Sequence, residues 1–193
     1  MARSIRRRPE IQPIEHADTR ARFEAEVLPH LDAAYRFARW LCRAPADAED
    51  VVHDAVIRAF RAYEGARIAD ARSWLLTIVR NCHLSAVKAR RPETALVRDA
   101  NEALMEIPAN TLTPEEESQR IDGQKTFDAL LGALPQAHRE ILVLRELEEM
   151  SYGEIATIVG VPLGTVMSRL ARAREALREL WERSPDGVSH GLP

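Results

Sequence analysis

The chain has 193 residues, 46% of them hydrophobic and 5% aromatic, with a formal net charge of −3. That length allows one domain or two small ones, and strand-like alternation is absent, so an all-α fold is expected. No apolar run approaches the roughly 20 residues needed to span a bilayer, and the arginines Arg3, Arg6, Arg7 and Arg8 are followed by no apolar core, which argues against a secretory signal and for a cytoplasmic protein without membrane insertion.

In chain order, residues 1–17 read as a disordered basic arm. A first helix is expected from about Asp18 to Cys42, with Phe23, Val27, Leu31, Tyr35, Ala38 and Leu41 among its apolar positions and Pro45 as its breaker. A second starts near Asp47, carries Val52, Val56, Ala59, Phe60 and Tyr63 inward, and ends at Gly65. A third runs from about Ala71 to Arg91, with Trp74, Leu75, Ile78, Val79 and Cys82 on one face, and is stopped by Pro92. That third helix holds Arg72, Arg80, Lys88, Arg90 and Arg91 and no acidic residue. Local basic patches of this kind, rather than net charge, attract phosphates.

Residues 92–112 are acidic and weakly periodic, and read as a linker after a first domain spanning 18–91. Thr113-Pro114-Glu115-Glu116 signals a helix start: a cap, a first-turn proline, and acids on the positive end of the helix dipole. Phe127, Leu130, Leu131 and Leu134 line that helix; Pro135 opens another, with Ile141, Leu142, Leu144 and Leu147 apolar. The second domain is expected over 113–183, with a disordered tail at 184–193. Halves this small bury only about 60% of their unfolded surface, so separable domains on a flexible linker are expected.

The segment Ser151–Arg174 carries the strongest local signal. Ser151 followed by Glu154 is a capping box. Ile155, Ala156 and Val159 form an apolar stripe, Gly160 ends the helix, and Pro162 suits the first turn of the next. In that next helix Leu163, Val166, Leu170, Ala173 and Leu177 fall on one face. The opposite face holds Gly164, Thr165, Ser168, Ala171 and Arg172, flanked by Arg169. This is the layout of a helix-turn-helix, whose second helix enters the DNA major groove. The simpler alternative is an amphipathic helix pair with a solvated basic face.

Cys42 and Cys82 are far apart and lack CxxC spacing, so neither a disulfide framework nor a zinc site is expected. Cys82 reads as a buried thiol. Its neighbour His83 points about 100° away on a helix, which argues against a shared metal. No glycine-rich phosphate loop, metal-ligand cluster or nucleophile–base spacing is present, so neither a cofactor nor catalysis is expected.

Three segments together resemble bacterial RNA polymerase sigma factors of the extracytoplasmic-function class, from about Phe23 to Trp181. DAEDVVHDAVIRAFR (Asp47–Arg61) resembles the helix that docks on polymerase, SWLLTIVRN with the basic run to Arg91 resembles the minus-10-reading and melting segment, and Leu134–Glu175 resembles the minus-35-reading domain. The resemblance implies two small helical domains, a region 2-like and a region 4-like one. It implies binding of core RNA polymerase, at the clamp of the largest subunit and the flap of the second, and of promoter DNA. The linker would thread across polymerase near the RNA exit path, and an anti-sigma factor would restrain the protein. Glu49, Asp50, Val51 and Asp54 become candidate polymerase contacts; Arg80, Asn81, Lys88, Arg90 and Arg91 candidate minus-10 and melting contacts; Thr165, Ser168, Arg169, Arg172 and Arg174 candidate minus-35 contacts. Family members often carry Gln where His53 stands, an aromatic where Ala71 stands, and lysine where Met167 stands. A stand-alone DNA-binding regulator is the competing reading, and it predicts tight operator binding without polymerase.

Overall fold

A computed structural model describes residues 13–42, 44–64, 66–90 and 127–184. Arg91, the linker 92–112, the helix start at Thr113 and the tail beyond Ser184 lie outside the described residues.

Proline placement sets the first elements. Helix α1 spans Pro13–Glu26, so it starts inside the stretch expected to be a disordered arm. The single long helix expected from Asp18 to Cys42 is divided: a 3₁₀ turn at Leu28–His30 contains Pro29, and α2 runs from Leu31 to Leu41. Pro29 has no N–H to continue the α1 ladder. The break resets the helical phase, so Leu31 and Tyr35, expected inward, are each 37% exposed. Ala34, Phe37, Ala38 and Leu41 are buried instead. Pro45, read as a breaker, is the first-turn proline of α3, Pro45–Tyr63.

Helix α3 buries Ala48, Val51, Val52, Ala55, Ala59 and Tyr63. Helix α4, Ala71–Arg90, begins where Asp70 Oδ2 accepts the Ser73 N–H at 2.7 Å. Leu75, Leu76, Val79 and Cys82 line its buried face, with Trp74 half-buried against the core. An aromatic cluster ties α1, α3 and α4 together. Phe23 meets Phe60 and Tyr63 edge-on at 5.2 and 5.4 Å, and Tyr63 lies 6.5 Å from Trp74. Phe60, expected inward, stays 43% exposed. The Tyr63 hydroxyl donates to Glu26 Oε2 at 2.6 Å.

The second half consists of a helical run at 127–133, called α5, α6 at Gln136–Leu142, α7 at Tyr152–Val159 and α8 at Leu163–Glu182. Helix α6 continues into a π-helical turn, Val143–Leu147. That wider turn shifts the register by a residue, which leaves Leu147, expected to be buried, 40% exposed. Among the described residues every element is helical.

The two halves do not stand apart as expected of separable domains. Helix α4 packs against α7, and α2 against α6 and the π turn. Buried residues of both halves form one continuous apolar cluster. Each half leaves a face that its own few helices do not cover, and burying that face against the other extends a core that is small by itself.

Candidate nucleic-acid interface

The turn between α7 and α8 is built as the sequence specifies. Ser151 Oγ accepts the Glu154 N–H at 3.3 Å, and Glu154 Oε2 accepts the Ser151 N–H at 2.7 Å. Gly160 closes α7 at φ 70°, a left-handed conformation costly for residues with a Cβ. Pro162, expected in the first turn of the next helix, is the N-cap of α8. The two helix axes differ by 99°, within the range of helix-turn-helix pairs.

Val166, Leu170 and Ala173 anchor α8 in the core, whereas Leu163, expected beside them, is 49% exposed. The outer face presents Gly164, Ser168, Ala171 and Arg172 to solvent, with Thr165 and Arg169 half-buried. Arg172 has no ion-pair partner among the described residues. The Ser168 hydroxyl donates to the Thr165 carbonyl at 3.1 Å. Arg174 differs from its neighbours: its Nε and Nη2 both bind Glu146 Oε1, at 3.1 and 2.6 Å. It is therefore committed to the π turn rather than presented outward. Met167 is 53% exposed and lies among these polar groups.

The basic set on α4 does not gather into one free surface. Asn81 and Lys88 are exposed. Arg90 Nη2 donates to Asp47 Oδ1 at 2.7 Å, which holds the Asp47 carboxyl below the usual carboxylate range. Arg80 is covered, its side chain 19% exposed, and its Nε binds Glu140 Oε1 of α6. On α3, Glu49, Asp50 and Asp54 face solvent. Val51 does not: it is 6% exposed and belongs to the core, so its side chain cannot reach a partner. Its place in the docking set is corrected, because i and i+1 positions on a helix face different ways.

Between the halves lies a charged seam that sequence periodicity did not reveal. The Glu148 side chain is fully buried. Its Oε1 and Oε2 accept from Arg36 Nε and Nη2 at 2.9 Å each, and Oε2 also accepts from Arg72 Nη2 at 2.6 Å. Burial raises the Glu140 carboxyl above its ordinary value, with Arg80 partly opposing that shift. Asp128 of α5 is buried near Arg39 of α2; burial raises its carboxyl while Arg39 opposes.

His83 also bridges the seam. Its Nδ1 lies 3.5 Å from Cys42 Sγ and its Nε2 lies 3.0 Å from Gln136 Nε2. The contact with Cys42 rather than the adjacent Cys82 agrees with the direction expected of successive helical residues. Burial pushes the Cys42 thiol up to about 11, with the nearby Asp47 adding to the effect. Burial, reinforced by the cationic Arg139 and Arg80, lowers His83 from its ordinary 6.5. Among the described residues no group of three His, Cys, Asp or Glu side chains is placed to hold a metal.

The depressed His83 value makes stability pH-dependent. The unfolded chain takes up a proton below pH 6.5 that the folded chain resists, so stability is level above that pH and falls as pH drops through it. One such proton contributes a slope of up to about 1.4 kcal/mol per pH unit. Glu140, with a raised value, acts in the opposite direction at lower pH, near and above its ordinary 4.5. Urea midpoints measured from pH 7 to 5 should therefore decline, and His83→Gln should flatten that decline. An equally steep decline in the variant would show that other groups cause it.

Comparison with known proteins agrees with this architecture. Residues 27–93 match the Sigma-70 region 2 family and residues 124–177 match the Sigma-70, region 4 family. The ECF RNA polymerase sigma factor SigE of Mycolicibacterium smegmatis is 35% identical over 157 residues, 79% of this chain and 59% of that protein. The chain thus spans less than two thirds of that relative's length. The RNA polymerase sigma-H factor of Pseudomonas aeruginosa is 33% identical over 178 residues, 86% of this chain and 89% of the relative. Among solved structures, the Bartonella quintana sigma factor RpoE, in complex with the anti-sigma factor NepR, matches with a TM-score of 0.68 and 27% identity, covering 84% of this chain and 98% of that one. The chain belongs to the extracytoplasmic-function sigma factors.

Proposed function

We propose that this chain is a promoter-specificity subunit of bacterial RNA polymerase. It binds core polymerase, reads a minus-35 element with α8 and a minus-10 element with α4, and assists melting of the DNA between. It is non-catalytic and works in the cytoplasm, alongside polymerase; among the described residues no single helix is long and apolar enough to cross a membrane. The observation that carries the reading is the outward face of α8, Thr165, Ser168, Arg169 and Arg172, set at 99° to a capped α7. It stands beside a region 2 match placed before it in the chain.

Glu49, Asp50 and Asp54 are the proposed polymerase contacts, on an exposed acidic turn of α3. Asn81, Lys88 and Arg90, with Arg80 once uncovered and Arg91 beyond the described residues, are the proposed minus-10 contacts. Arg174 joins the minus-35 set only if it leaves Glu146. An anti-sigma factor is the proposed restraining partner, by likeness to the complexed RpoE.

Purified chain added to core polymerase should direct transcription from its own promoter, and absence of polymerase binding would sink the reading. A gel shift by the chain alone, tight and symmetric, would favour a stand-alone regulator. Arg172→Ala should weaken holoenzyme binding to the upstream element by about 1–3 kcal/mol, with the loss confined to one base position. A uniform, salt-sensitive loss across sequences would make it a phosphate contact instead.

A further inference from the structure

The seam has a one-sided charge arrangement. In its ion pairs the cations, Arg36 on α2 and Arg72 and Arg80 on α4, come from the first half, although Arg139 of α6 also stands near His83. The carboxylates that accept from them, Glu140 and Glu148, come from the half that carries the helix-turn-helix. Glu148 receives three guanidinium N–H bonds at 2.6–2.9 Å with no solvent contact of its own. Paired N–H groups on two oxygens are also how guanidinium groups bind phosphate. Arg72 and Arg80 share α4 with Asn81 and Lys88, though on different faces of the helix, and with Arg90, which is paired with Asp47.

The packed arrangement cannot serve both promoter elements at once. Elements nominally 25 base pairs apart are separated by roughly 85 Å at 3.4 Å per pair, whereas a folded body of this size is on the order of 40 Å across. The 36 residues from 91 to 126 can span roughly 120 Å when extended. Reading both elements therefore requires the halves to part, and parting strips Arg36, Arg72 and Arg80 of their carboxylates together.

We propose that Arg36 and Arg72 are phosphate-binding residues for the opened DNA strand, and that Glu148 occupies them in the packed chain as an internal stand-in for phosphate. This rests on the promoter-opening reading above. The packed chain then holds its own melting surface neutralised, and single-stranded DNA and Glu148 compete for the same two guanidinium groups.

The test uses the full chain with a 20-nucleotide oligo-dT probe followed by fluorescence anisotropy, with solution scattering to report compactness. Glu148→Ala should bind the probe about tenfold more tightly than the parent chain and should scatter as a longer particle. Adding Arg36→Ala and Arg72→Ala to that variant should abolish the gain and lower the salt slope by about 1.4, as for two single-strand phosphate contacts. An elongated Glu148→Ala chain with unchanged affinity overturns the assignment of the arginines. A compact Glu148→Ala chain with unchanged affinity overturns the role of Glu148. Should Glu148→Ala lose helical circular dichroism, Arg36→Ala/Arg72→Ala in complex with polymerase gives a separate reading. Its salt slope for promoter opening should fall by about the same 1.4, and an unchanged slope overturns the proposal. Failure of the parent chain to bind polymerase would instead strike at the promoter reading, and the oligo-dT comparison would still stand.

Discussion

Replacing Phe37 by alanine should lower the urea midpoint of the whole chain by the largest amount of any single core change on α2. Phe37 is fully buried on α2 and is part of the cluster that runs through both halves. Truncating such a ring removes its transfer free energy and leaves a cavity, together about 3–5 kcal/mol. Whole domains have only about 5–15 kcal/mol of stability. The change should appear as a urea midpoint shift several times larger than that of Met167→Ala, whose side chain is 53% exposed and should move stability by no more than about 0.5 kcal/mol. Because the cluster is continuous, probes in either half should report the same transition. Two separate transitions, with only the first displaced, would mean that the halves unfold independently and that the seam adds little.

The difference between what was legible and what was not follows sequence separation. The helix-turn-helix is specified within about two dozen residues: the Ser151 cap, the Gly160 turn and the α8 stripe each act on near neighbours. The core faces of α3 and α4 were largely legible for the same reason, since helical periodicity is local. The seam was illegible because its pairs are remote. Glu148 binds residues 112 and 76 positions away, and Arg80 binds one 60 positions away. In the sequence, Arg145, Glu146, Glu148 and Glu149 surround Leu147 as a mixed charge cluster. Nothing in its spacing distinguishes Glu148, which is buried, from Glu149, which is exposed with φ 52°. Prolines misled for a related reason. Pro29 and Pro45 carry the same local signal of interrupted helix. Whether that interruption ends one helix or begins the next depends on where the chain then packs.

The same distinction between surface and core gives the second large effect, on polymerase binding. Asp50 and Asp54 are four residues apart on α3, so they stack on one exposed face. Under the proposed docking role that face meets a complementary cationic surface of the clamp. Reversing both charges, Asp50→Arg with Asp54→Arg, places like charges together, which costs several kcal/mol across a protein interface. Affinity for core polymerase, measured by fluorescence titration, should fall at least tenfold and lose its normal weakening with salt. The melting temperature should hardly change, because neither side chain is in the core. Val51→Ala should do the reverse, lowering the melting temperature while leaving the affinity of the folded fraction unchanged, since Val51 is buried beneath that face. Unchanged polymerase affinity in the double reversal would remove α3 from the docking surface. A loss in Val51→Ala as large as in the reversal would mean that the effect is transmitted through the fold and not made by direct contact.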